Sequence, residues 1–135
     1  MRFDEKKMGL LALIAYIVAF FFLAVINRDS GTSSTVKSDL FWGYNNPPKD
    51  IYRDNILNFV GFIPVGALVG LIAKKHGIAK PFIAGLLVSL LIECSQLIWH
   101  RGTFDVDDLF NNALGAFVGG MMIDLVWSRK RNNVN

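Results

Sequence analysis

Residues 81–120 read PFIAGLLVSLLIECSQLIWHRGTFDVDDLFNNALGAFVGG, two apolar segments joined by a short polar elbow. Each segment is long enough to cross a hydrocarbon core as a helix. Yet this stretch holds Ser89, Glu93, Gln96, Arg101, Asp105, Asp108 and Asn112, most of the side chains that lipid would reject. Glu93 has apolar sequence on both sides and lies about six residues from the end of its segment. Carrying a carboxyl group to such a depth costs roughly 2.5–3.5 kcal/mol or more unless it finds a partner, which makes Glu93 a functional-site candidate. The rest of the chain is therefore read for what brings partners to it.

At 135 residues, 53% apolar and a mean hydropathy of +0.39, the chain is too short for two ordinary domains and too apolar for a typical soluble one. The formal charge of +3 does not point to nucleic acid. Its Lys and Arg residues stand at the ends of apolar runs rather than in one patch interleaved with aromatics, as the flanks of membrane spans do. The single cysteine, Cys94, permits no internal disulfide and reads as a packing residue within an apolar run.

Worked outward, the apolar runs give one all-α membrane domain over residues 1–135 with four transmembrane helices, at about 8–26, 55–73, 82–99 and 107–127. The first, Met8 to Ile26, ends without the small-x-small site of a signal peptide and is expected to remain as a helix. Residues 27–54 form a polar loop broken at Ser30-Gly31 and Pro47-Pro48. Two readings of its Phe41, Trp42 and Tyr44 stay open, an interfacial anchor or a loop packed loosely on the helix ends. In the second span Pro64 predicts a kink, and Gly66 with Gly70 offers a face for close helix approach. Ser89, Glu93 and Gln96 share one stripe of the third span; Asp108, Asn112, Gly115 and Gly119 share one stripe of the fourth. Gly120 lies off that stripe and is expected to tolerate a side chain better. Trp99 and Trp127 close their spans as an aromatic belt would.

Nine of the fourteen basic residues fall on the head, the loop 74–80 and the tail, so both termini are expected to be cytoplasmic and the loop 27–54 extracytoplasmic. Asp54, Asn58, Asp108 and Asn112 then lie at the outer ends of the second and fourth spans, and Glu93 and Gln96 at the outer end of the third. Three spans thus deliver polar groups to one depth. A shared outer-leaflet pocket accounts for this better than scattered interhelical hydrogen bonding, which stays open as the alternative.

The ordered blocks Asn58-x-x-x-Phe62-x-Pro64-x-Gly66, Ser89-x-x-x-Glu93-x-x-Gln96 and Arg101-x-x-x-Asp105-x-x-Asp108-x-x-x-Asn112-x-x-Gly115 resemble the VanZ-like family of small bacterial membrane proteins. The resemblance covers Asn58 to about Gly120. It implies a multi-pass protein of the bacterial cytoplasmic membrane and an association with resistance to teicoplanin and related lipoglycopeptides.

The candidate ligand-binding residues are Asn58, Ser89, Glu93, Gln96, Arg101, Asp105, Asp108 and Asn112, with Glu93 and Asp108 as candidates for an acid/base pair. Arg101 is expected within reach of at least one of the carboxylates of Glu93, Asp105 and Asp108. No cofactor is expected and no His/Cys metal cluster is present in the sequence; an oxygen-ligand site for a hard cation stays open as a minor reading. The expected partner is a membrane lipid or a lipid-linked small molecule, such as a wall precursor or a lipoglycopeptide, recognised by the pocket. In that reading the glycine groove takes an apolar chain and Arg101 an anionic headgroup. A small intramembrane hydrolase or transferase acting on lipid headgroups is the alternative, and a lipid transporter ranks last because the polar groups occupy one leaflet. The sequence leaves the oligomeric state open.

Overall fold

The computed structural model describes residues 3–27, 35–38, 51–73 and 77–132. Four helices long and apolar enough to cross a membrane make up nearly all of it. Helix α1, Phe3–Phe21, continues as one wider π-helical turn, Phe22–Ile26. It is followed by a two-residue strand β1, Val36–Lys37, helix α2, Ile51–Ala73, and helix α3, Ala79–Ile98. Strand β2, Phe104–Asp105, and helix α4, Val106–Asn132, complete the order. The aromatics Phe41, Trp42 and Tyr44 lie outside the described residues.

Hydropathy marks where a helix crosses lipid; hydrogen bonding decides how far it runs. Helix α3 starts three residues before the apolar run, with Lys80 and Pro81 in its first turn, where a missing N–H is harmless. Helix α4 runs five residues past Trp127 through the basic tail, so that Trp127 sits inside the helix. Helix α2 passes through Pro64 without interruption. Acidic residues stand in the first turns of α1 (Asp4, Glu5), α2 (Asp54) and α4 (Asp107, Asp108), where they oppose the positive end of the helix dipole.

Helix α4 packs closely on two neighbours, α2 and α3. It lies parallel to α2, with Gly115 against Phe59, Gly119 against Ile63 and Ala67, and Gly66 against Ala116. A Cβ at Gly115 or Gly119 would land on the carbonyl oxygen of Phe59 or Ile63, so the two backbones touch only because these residues have none. On its other side α4 runs antiparallel to α3, with Gly85 against Ala116 and Pro81 against Gly120. Gly120, expected to tolerate a side chain better, is closed as well: a Cβ would enter the Pro81 ring of α3, and the residue also stays close to Gly66 and Gly70 of α2. Helix α1 packs outside, antiparallel to α2, through Tyr16, Phe20 and Ala24. The core is Val25, Phe62, Val65, Ile92 and Ala116. With these directions, the first turn of α1 and the last turn of α4 lie at the same end of the bundle.

Candidate functional site

At the opposite end, α3 stops in a Schellman motif: the N–H of Arg101 donates to the Gln96 carbonyl at 2.9 Å and that of His100 to the Leu97 carbonyl at 3.4 Å. His100 takes the left-handed conformation (φ 52°) that glycine usually fills at this position. The chain then extends, and β2 pairs in parallel with β1, Val36 opposite Phe104 and Lys37 opposite Asp105. This pairing corrects the reading of residues 27–54 and of the elbow as plain loops, since its signal is shared between segments far apart in sequence.

Glu93, 2% exposed, accepts the backbone N–H of Asp105 on Oε2 at 3.0 Å. Asp105 in turn caps α4, its Oδ1 accepting the Asp107 N–H at 2.9 Å, while its Oδ2 faces Lys37 Nζ at 3.8 Å. The buried carboxylate thus fixes the elbow, and the elbow fixes the start of α4. The last carbonyls of α1 are claimed by the same end of α3: Gln96 Nε2 donates to the Ala24 oxygen at 3.1 Å and the Arg101 guanidinium to the Ile26 oxygen at 2.6 Å. These carbonyls lie in the last turn of the α1 rod, where helices have carbonyls to spare, and a cation is favoured there. One turn deeper, Asn112 Nδ2 donates to Ser89 Oγ at 2.8 Å, both residues buried.

Between the four helices lies a cavity of about 620 Å³. Its polar lining is Asp54, Asn58, Glu93, Gln96, Asp108 and Asn112, and Tyr16, Phe20, Leu23, Leu57, Val60 and Ile92 form much of the apolar wall. Five of the eight sequence-predicted residues are therefore on one cavity: Asn58, Glu93, Gln96, Asp108 and Asn112. The other three stand around it with structural bonds, Ser89 holding Asn112, Arg101 holding the end of α1 and Asp105 capping α4. The sequence-predicted set omitted Tyr16, whose hydroxyl donates to the Gly61 carbonyl at 2.8 Å. Its signal was available, since Tyr16 carries the sole side-chain hydroxyl between Met8 and Ile26. Asn55 and Asn111 were also passed over; both are buried, each with an Nδ2 that has no partner among the described residues. Among the described residues, no group of three or more His, Cys, Asp or Glu side chains is placed to share a metal ion.

The sequence profile of the VanZ/LLP1 family matches residues 8–127, which takes in all four helices. The chain belongs to that family. A relative, Protein VanZ of Enterococcus faecium, is 35% identical over 68 residues, covering 50% of this chain and 42% of the relative. The match thus spans less than half of that relative's length. No solved structure matches the chain. Every residue on the cavity falls within the span that the VanZ/LLP1 profile covers.

Proposed function

We propose that this VanZ/LLP1 protein is a recognition factor of the bacterial cytoplasmic membrane, whose cavity lies in the outer leaflet and takes an amphiphilic envelope molecule, a lipid-linked wall precursor or a lipoglycopeptide. The observation that carries the reading is the cavity, with carboxylates and amides at one end of an otherwise apolar bundle and a volume in the range of small-molecule sites. Arg101 belongs to the same end and is the residue that would meet an anionic group at the mouth. Its pairing with the carboxylate of Glu93, Asp105 or Asp108 is part of this proposal. Resistance to teicoplanin, which the VanZ resemblance implies, is the phenotype that such recognition would produce.

A second reading is a small hydrolase or transferase for lipid headgroups, favoured by the presence of Glu93 and Asp108 on one cavity. One experiment separates the two. Envelope lipids and wall precursors are compared in cells with the protein, without it, and with Glu93→Gln, alongside teicoplanin susceptibility. Unchanged lipids with protection reduced at least about tenfold in the variant support recognition, on the scale of one lost charge-assisted contact. A lipid species that appears with the protein and vanishes in the variant supports an enzyme. Full protection by Glu93→Gln overturns the site.

A further inference from the structure

Three polar groups on the cavity are engaged by the protein itself: Glu93 accepts the Asp105 N–H, Gln96 donates to the Ala24 carbonyl, and Asp108 has contacts of its own. Asn112 differs. Its Nδ2 is spent on Ser89, while its Oδ1, in a residue 2% exposed, has no donor among the described residues. An acceptor left unmet at membrane depth is destabilising, so a donor from outside the chain is favoured there. The wall beside it opens sideways. Leu23 in the π-helical turn of α1 and Leu57 and Val60 on α2 line the cavity and are also 64%, 54% and 51% exposed, so between α1 and α2 the cavity meets the hydrocarbon. Helix α1 widens into its π-helical turn, a feature common at functional sites, where it borders this gap. The glycine groove of α4, expected to take an apolar chain, is closed by the α2 backbone at Phe59 and Ile63. The gap is therefore where a chain has room.

We infer that a lipid reaches the cavity from the hydrocarbon between α1 and α2, and that Asn112 Oδ1 accepts a hydrogen bond from a neutral O–H or N–H at the root of its chain. A neutral donor suits this acceptor: Asn112 and Ser89 are an uncharged pair one turn deeper than Glu93, where burying a charge is costlier than burying a hydroxyl or an amide. Asn58, half-buried on α2, adds a second amide to the lining and offers the same group both a donor and an acceptor. This entry path and contact rest on the recognition reading, and they place the headgroup of the same molecule toward Arg101 at the elbow.

The test uses the full chain in phosphatidylcholine nanodiscs, whose lipid carries no O–H or N–H donor, with native mass spectrometry reading the probe retained. The probes are hexadecanol with its methyl ether, and N-methylhexadecanamide with its N,N-dimethyl analogue; each pair shares a chain and differs in one donor. Retention of the donor-bearing member over its blocked partner by about five- to tenfold is expected, the scale of one neutral hydrogen bond. A preference in the alcohol pair alone names a hydroxyl, and one in the amide pair alone an N–H. The preference should vanish in Ser89→Ala with Asn112→Leu, which removes both partners of the buried bond. Leu57→Trp fills the gap and should lower retention of every probe, whereas Leu91→Trp, on α3 at a position 66% exposed and not on the cavity lining, should not. Both positions are lipid-exposed, so neither variant threatens the fold. Equal retention within both pairs overturns the Asn112 contact. Retention unchanged by Leu57→Trp, or lowered as much by Leu91→Trp, overturns the lateral path. Displacement by chainless N-methylacetamide at equal concentration overturns the need for a chain. Retention of no probe overturns path and contact together, while the recognition reading is decided separately by teicoplanin protection in Glu93→Gln.

Discussion

Ser89 and Asn112 show what a buried polar pair costs to disturb. Ser89→Ala removes the oxygen that accepts the Asn112 amide and leaves it buried without a partner, so a loss of about 1–3 kcal/mol is expected in detergent unfolding. Ser89→Ala with Asn112→Leu removes both partners and should be less destabilising than Ser89→Ala alone; an additive loss would show that the bond is not coupled. Arg101→Leu should cost about 1.5–3 kcal/mol, because a hydrogen bond from a charged donor to the Ile26 carbonyl is lost. Lysine should recover part of it, since a cation near the helix C-terminus is favoured whatever its shape. A variant with lysine as unstable as the leucine variant would place the whole effect in guanidinium geometry. The stripe Ser89, Glu93, Gln96 was legible because helical spacing fixes which residues share a face. The partners of Gln96, Arg101 and Glu93 were not: the carbonyls of Ala24 and Ile26 and the N–H of Asp105 are backbone groups, which every residue carries alike.

Among the elements, α2 touches all three other helices, while α4 packs closely on two, α2 and α3, and its small residues are what permit this. Gly115→Leu and Gly119→Leu should each separate α4 from α2 at a cost of about 1–3 kcal/mol or more, since the obstruction is backbone. Gly120→Leu should be damaging as well, first through the Pro81 ring, and would loosen α3 more than α2. Unfolding of the purified variants checks this, and cysteine pairs placed across each interface report which one opens. A Gly120→Leu protein as stable as wild type would mean that α3 and α4 are further apart than the Pro81 contact requires. The face carrying Gly115 and Gly119 followed from periodicity, whereas the contact of Gly120 with α3 could not be told from a lipid-facing position by hydropathy alone. The β1–β2 clip was hidden for a related reason: two residues on each side carry no alternation to detect, and their pairing is between segments distant in sequence.

For the molecule as a whole, four spans, their order and their approximate limits could be read from hydropathy, because lipid requires long apolar runs whose backbone bonds close within each helix. Directions within the bundle then follow: α2 and α4 run one way, α1 and α3 the other, so the cavity, the elbow and the β1–β2 clip share one end. Which side of the membrane that end faces is a matter of charge, and it decides what the cavity meets. The loop 74–80, the head and the tail carry nine of fourteen basic residues, so the opposite end of the bundle is expected in the cytoplasm. Reporters fused at Asn135 and inserted near Lys75 should therefore be active only as cytoplasmic fusions, and one near Ser33 only outside. A reporter found extracytoplasmic at Asn135 would turn the cavity inward. It would then face cytoplasmic lipids and metabolites, and an extracellular antibiotic would have to cross the bilayer before it could be bound. The cavity's lining would be the same in that outcome, since it depends on the bundle and not on the side; the proposed contact with an outer-leaflet precursor or a lipoglycopeptide would be lost.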